Sequence, residues 1–98
     1  MSFYLTNAAE EDITNIISTG ASLFGISQAK AYHASLERVF NLIADNPKLA
    51  REREELTPVV RIHPFGSHLI VYKIEDNEDV LIIRVRHARE DWQDDPIG

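Results

Sequence analysis

VLIIRVRH, residues Val80 to His87, is the stretch on which the reading of the whole chain turns. Val80, Leu81, Ile82 and Ile83 run together, so both faces of this strand are apolar at its start. Arg84 and Arg86 then fall on one face, with Leu81, Ile83, Val85 and His87 on the other. A strand buried on both faces needs cover on both faces.

Working back from it, Asp76 to Asp79 form a polar turn, and His68 to about Glu75 form the strand before it. Gly66 and Ser67 make the preceding turn, and Val59 to His63, ended by Pro64, is another strand. These three strands read as an antiparallel meander. Upstream, KLAREREELT (Lys48 to Thr57) reads as a charged connection in which Arg51 and Arg53 balance Glu52, Glu54 and Glu55.

The strongest helical signal runs from Gln28 to Asn46. Tyr32, Leu36, Val39, Phe40 and Ile43 make one apolar stripe, Ser27 offers the cap, and Asn46-Pro47 ends the helix. An earlier helix follows a cap at Thr6 or Asn7, carries Glu10, Glu11 and Asp12 near its start, and runs to about Phe24. Its stripe is Ile13, Ile16, Ile17 and Phe24. Gly20, on the same stripe, either admits a close neighbouring helix or weakens this one. Gly25 stops it, and the short joint makes the two helices an antiparallel hairpin. Before them, Ser2 to Thr6 form a strand with Phe3 and Leu5 on one face and Tyr4 on the other.

The expected fold is α+β, in the order β-α-α-β-β-β: an N-terminal strand, then an antiparallel helical hairpin packed on one face of an antiparallel sheet with a C-terminal three-stranded meander. Two helices cover one face only. Leu69 and Val71 point to one face of the sheet, and Ile70, Tyr72 and Ile74 to the other. One reading leaves an apolar strip open for a partner. The other folds the tail, Ala88 to Gly98, back with Trp92 as a lid.

Ninety-eight residues make one expected domain, 1–98. Hydrophobic content of 44% and charged content of 27% are those of an ordinary globular protein. With no cysteine there is neither a disulfide framework nor a thiolate metal site. No apolar run approaches the roughly 20 residues of a membrane span, and the N-terminus lacks a secretion pattern. The expected location is cytoplasmic, away from membranes. A net charge of −6 argues against nucleic-acid binding by bulk attraction. The four histidines show no ligand spacing, so no metal and no cofactor are expected.

YLTNAAEEDI, residues 4–13, resembles the opening of ParE-type toxins, in which a strand leads through T-x-A-A-E-x-D-L into the first helix. GISQAKAYHASLERVFNLIADNPKLAREREEL is similar to the same family's G-x-x-Q-A…Y…L…F…L-A-x-N-P-x-L-G-R-x-R-x-E-L. PVVRIHPFGSHLIVYKIEDNEDVLIIRVRHARED resembles its P-G-x-R-x-x-P-x-G-x-H-x-I-x-Y…I-x-I-x-R-V-x-H-x-x-x-D. The likeness covers nearly the whole chain. Ala50 and Val59 stand where the family usually has glycine, and the acidic balance departs from relatives that are often neutral or basic.

The resemblance implies a toxin of a type II toxin–antitoxin pair, one that poisons DNA gyrase by protein contact and is neutralised by a ParD-type antitoxin seated in an apolar groove. The expected antitoxin contacts are Tyr4, Ile70, Tyr72, Ile74, Val80, Ile82 and Trp92, with Arg61, Arg84 and Arg86 pairing acids on the partner. Family precedent points to the C-terminal segment for toxicity, here His87, Arg89, Asp91 and Trp92. The bland reading of His87 and Asp91 is an ion pair that fixes the tail.

The alternatives are a RelE-like ribosome-dependent mRNA endoribonuclease and an inactive homologue that only binds antitoxin. Cutting RNA through its 2′-hydroxyl needs a base, an acid and a cation. Arg61, Arg84, Arg86 and His87 are the candidates, with Arg61 near the other two across the sheet. Against it, Leu69, Ile70 and Val71 cannot ionise where such enzymes carry a catalytic group, and Glu90, Asp91, Asp94 and Asp95 would repel RNA. No catalytic residue is therefore assigned.

Overall fold

The computed structural model describes residues 2–93 and 95–98 of the chain, so Asp94 of the acidic tail lies outside the described residues. The element order is β1 (Phe3–Leu5), α1 (Asn7–Phe24), α2 (Ile26–Asp45), β2 (Glu52–Arg53), β3 (Val60–Phe65), β4 (His68–Ile74) and β5 (Val80–His87). The five strands form one sheet in the order β1-β5-β4-β3-β2. The helices and the meander stand in the predicted order, but β3 runs on through Pro64, opposite Leu69, to Phe65 rather than ending at the proline.

Two features differ from the expectation. The sheet is mixed, because β1 pairs parallel with β5, Phe3 opposite Val80 and Leu5 opposite Ile82. A long helical crossover between β1 and the meander permits a parallel neighbour, which a hairpin could not. The connection after α2 also supplies a short edge strand, β2, with Glu52 opposite Arg61.

Local chemistry explains the helices. Thr6 caps α1: its hydroxyl accepts from the Ala9 N–H at 3.0 Å and donates to the Ile83 carbonyl at 2.7 Å. One side chain thereby sets the helix start and ties it to β5. Gly25, at φ +94°, ends α1 and begins α2, so Ser27 lies inside α2 rather than at its cap. Its N–H donates to Ala21 and its carbonyl accepts from Ala29, each at 3.1 Å. A positive φ at a joint of one residue is where glycine is needed. Gly20 does not break α1; it faces the Ala29 methyl across the hairpin.

The decisive irregularity lies in β5. Val71 is opposite Arg84 while Tyr72 is opposite Ile82, so Ile83 is an extra residue. The bulge reverses which face later residues take. Val80, Ile82 and Val85 all join the core beneath the helices, whereas Ile83 packs on the far face. Strict alternation, which put Val85 and His87 with Leu81 and Ile83, fails at this point. The bulge's freed backbone groups are satisfied: Thr6 takes the Ile83 carbonyl and Asp12 accepts from the Val85 N–H at 2.9 Å.

The main core lies between the hairpin and the sheet. Ala9, Ile13, Leu36, Phe40 and Ile43 meet Ile70, Tyr72, Val80, Ile82 and Val85. The Tyr72 hydroxyl donates to the Pro47 carbonyl at 2.8 Å and accepts from the Ala50 N–H at 3.3 Å, pinning the exit of α2. The opposite face has its own smaller cluster, Leu56, Val60, Ile62, Val71 and Trp92, with Leu69 and Ile83 beside it.

Candidate functional site

The residues expected to bind an antitoxin do not form an open strip. Ile70, Tyr72, Val80 and Ile82 have no exposed surface at all, because their face is the one beneath the helices. Period-two alternation shows that two faces exist but not which one the helices take. Ile74 is half-buried beside a shallow depression with Pro47 and Leu49, and Tyr4 stands well exposed on β1.

The far face is closed by the chain itself. Trp92, 9% exposed, packs on Leu56, Val60, Ile62 and Val71, and the Arg53 guanidinium sits 5.7 Å from its ring centroid. Of the two uses open to Trp92, the structure has it as a lid. The expected open strip is therefore covered.

The three arginines are committed within the chain. Arg84 forms a bidentate pair with Asp12, Nε to Oδ2 at 2.6 Å and Nη2 to Oδ1 at 2.8 Å, and also donates to the Gly98 carbonyl. That pair raises the Arg84 pKa still further from neutrality. Arg86 donates to Glu90 at 2.9 Å and to the Asp95 carbonyl at 3.1 Å. Arg61 donates to the Ala50 carbonyl at 2.7 Å and to Glu52 at 3.2 Å.

Nor do the three share a site. Arg61 is opposite Tyr72, on the helix side, whereas Arg84 and Arg86 are opposite Val71 and Leu69, on the far side. The grouping of Arg61 with the other two is thus corrected, and so is the ion pair of His87 with Asp91. Glu90, not Asp91, receives the His87 N–H, at 2.9 Å, and His87 Nδ1 accepts from the Arg89 N–H at 3.1 Å. That backbone bond is the main reason the Glu90 carboxyl titrates below its usual range. Arg89 and Asp91 are both exposed.

What the surface does offer lies at the tip of the hairpin. Leu23, Phe24 and Ile26 are 68%, 65% and 66% exposed, side by side around Gly25. They continue into a cleft of about 540 Å³ walled by Ile16, Ile17, Gly20, Leu23 and Phe24. Its lining also carries Asn15, Thr19 and Gln28, and three titratable rings meet there. The Tyr32 hydroxyl lies 2.7 Å from His68 Nδ1, and the His68 and His87 rings stack edge-on at 5.2 Å. Burial first, and the neighbouring His87 second, lower the His68 pKa and favour its neutral form. Burial raises that of Tyr32.

Of the residues expected to contact an antitoxin or a target, only His87 lines this cleft. The sequence pattern places Tyr32 in the core stripe of its helix and His68 at a strand start. The legible signal was LFGI, residues 23–26, with more large apolar residues than a one-glycine joint can bury.

Comparison with known proteins agrees with the architecture. The family model described as "ParE toxin of type II toxin-antitoxin system, parDE" matches residues 3–92. Toxin ParE1 of Mycobacterium tuberculosis (strain ATCC 25618 / H37Rv) is 28% identical over 89 residues, which is 91% of this chain and 91% of that protein. Toxin ParE1 of Caulobacter vibrioides is 29% identical over 85 residues, covering 87% of this chain and 86% of its own length. Toxin ParE of Escherichia coli is 27% identical over 89 residues, covering 91% and 86%. The solved structure titled "Chromosomal ParDE TA system from P. aeruginosa" superimposes with a TM-score of 0.71 at 23% identity, covering 89% of this chain and 95% of that one, which shows a shared fold.

Proposed function

Because this chain belongs to the ParE toxin family of type II toxin–antitoxin systems, we propose that it inhibits DNA gyrase by protein–protein contact and is held silent by a ParD-type antitoxin. The reading assigns it no chemistry of its own and places it in the cytoplasm, where gyrase works. The observation that carries the non-catalytic part is the commitment of Arg61, Arg84 and Arg86 to carboxylates and carbonyls of the same chain. A phosphate-cutting site needs a cation free to meet the substrate, and these three are engaged. The segment after β5 is the proposed target contact, through the exposed Arg89 and Asp91, with His87 and Trp92 setting its course. Tyr4 remains a proposed antitoxin contact by its exposure.

The ribonuclease reading has one observation in its favour: Tyr32, His68 and His87 converge at a cleft. The walls of that cleft are mostly apolar, which suits a protein side chain better than a polyanion. Supercoiling by purified gyrase, with and without this protein, tests the proposal, with messenger RNA cleavage on ribosomes run in parallel. Inhibited supercoiling, accumulated cleaved DNA and intact RNA are expected. Cut RNA with untouched gyrase would overturn the proposal and direct mutagenesis to Tyr32, His68 and His87.

A further inference from the structure

The chain after β5 crosses the far face of the sheet as a strap. Among its described residues only Trp92 and Pro96 are buried. Trp92 lies on Leu56, Val60, Ile62 and Val71, with the Arg53 guanidinium over its ring at 5.7 Å. No strand pairing continues past His87. Among the described residues, the hydrogen bonds that tie Asp95 and Gly98 to the sheet all come from two guanidinium groups. Arg86 Nη1 donates to the Asp95 carbonyl at 3.1 Å and to the Gly98 carbonyl at 3.4 Å, and Arg84 Nη1 donates to that same Gly98 oxygen. We propose that this strap is an autoinhibitory latch: docked, it stows Trp92 beside an arginine clasp, and its release from the far face is the step that brings Trp92 to gyrase. The proposal rests on the gyrase reading above and names how that contact is regulated.

Three observations make release a local event rather than unfolding. The cluster under Trp92 is separate from the core beneath the helices, so lifting the strap leaves Ile13, Leu36, Phe40 and Ile82 packed. The clasp uses only Nη1 of each arginine. Arg84 keeps Asp12 through Nε and Nη2, and Arg86 keeps Glu90 through Nε, so release leaves neither guanidinium without its carboxylate. Lastly, the strap has no backbone ladder to break, and Pro96, which carries no N–H, is buried without needing a partner for one.

The same geometry says why a docked strap holds back. Arg89 and Asp91 stand exposed at its root, but the tryptophan, the side chain with most area to offer a partner, is 9% exposed. A protein whose binding-competent form is a minor population binds more weakly by that fraction. Loosening the clasp therefore raises potency without adding a contact.

The test uses the full-length protein and two variants on different elements. Arg86→Ala, on β5, removes the clasp to Asp95; Arg53→Ala, on β2, removes the guanidinium over the Trp92 ring. Acrylamide quenching of Trp92, read in urea too dilute to change the far-UV circular dichroism, measures release. Both variants should raise it. Both should also lower the concentration that half-inhibits supercoiling by purified gyrase, Arg86→Ala by about fivefold and Arg53→Ala by about twofold. Trp92 that stays protected in wild type and both variants until the circular dichroism itself changes would overturn the proposal, because the strap would then open only with the whole fold. So would increased quenching with unchanged or weaker inhibition, which would leave the gyrase reading standing. Inhibition by the variants alone would support a latch that is tight in wild type. No inhibition by wild type or either variant would overturn the gyrase reading beneath it.

Discussion

Asp12 on α1 and Arg84 on β5 meet in a bidentate pair with both side chains mostly covered, and the same carboxylate caps the Val85 N–H that the bulge at Ile83 leaves free. One aspartate thus fixes the first helix, orients an arginine and pays the backbone cost of the bulge.

Replacing Asp12 with alanine should cost about 2–3 kcal/mol of stability. It leaves the Arg84 guanidinium without its carboxylate and the Val85 N–H without a partner. Urea denaturation of the two proteins measures it. Asp12→Asn keeps an acceptor for Val85 and should lose less. Equal stability of Asp12→Ala and wild type would show that the pair contributes nothing.

Gly25 and Gly20 should respond to alanine in opposite directions. At Gly25 the φ of +94° is strained for any side chain, so Gly25→Ala should destabilise by about 1 kcal/mol or more. At Gly20 the new methyl would meet only the Ala29 methyl, at 3.8 Å, inside a helix. Gly20→Ala should stabilise by up to about 1 kcal/mol. Thermal melts of both variants read the sign directly.

Trp92 is the only tryptophan, so its fluorescence reports the lid. Buried among Leu56, Val60, Ile62 and Val71, it should emit at short wavelength and resist acrylamide quenching. Val71→Ala should red-shift it more than Leu42→Ala, which alters an exposed helix position on the other side. Trp92→Ala should lose about 3 kcal/mol.

Acid should weaken the fold through His68. Its folded pKa lies below the unfolded value near 6.5, so the unfolded chain takes up the proton first. The contribution of the neutral ring is present above about pH 6.5 and is lost as pH falls from there toward the lowered folded value. His68→Gln should flatten the stability profile across that window. An unchanged slope in urea melts at several pH values would sink the assignment.

Much of the fold could be read from residue patterns, for reasons that particular residues make plain. Thr6, Gly25 and Asn46-Pro47 act on their own neighbours, so the ends of α1 and α2 were visible in the chain. The Ile83 bulge was not, because a single extra residue in an apolar run changes no local signal; only the partners of Val71 and Tyr72 reveal it. The same blindness moved Ile70, Tyr72, Val80 and Ile82 from an expected contact surface to the core. Which face a helix pair covers is set by the hand of the chain's path, not by alternation. The cleft was hidden for another reason. Tyr32, His68 and His87 lie on three different elements, and their meeting is a tertiary fact.

The parallel pairing of β1 with β5 also bears on how this protein comes into being. Phe3 waits for Val80, and Thr6 for the carbonyl of Ile83, 77 positions later. The helical hairpin, made of neighbours, can form while the chain is still being synthesised. The sheet cannot be closed at its β1 edge until β5 has been made, and such distant pairings are slow to form. A nascent copy therefore keeps an unfinished sheet until β5 has been made, and everything that depends on that sheet, His68 and His87 at the cleft included, arrives with β5.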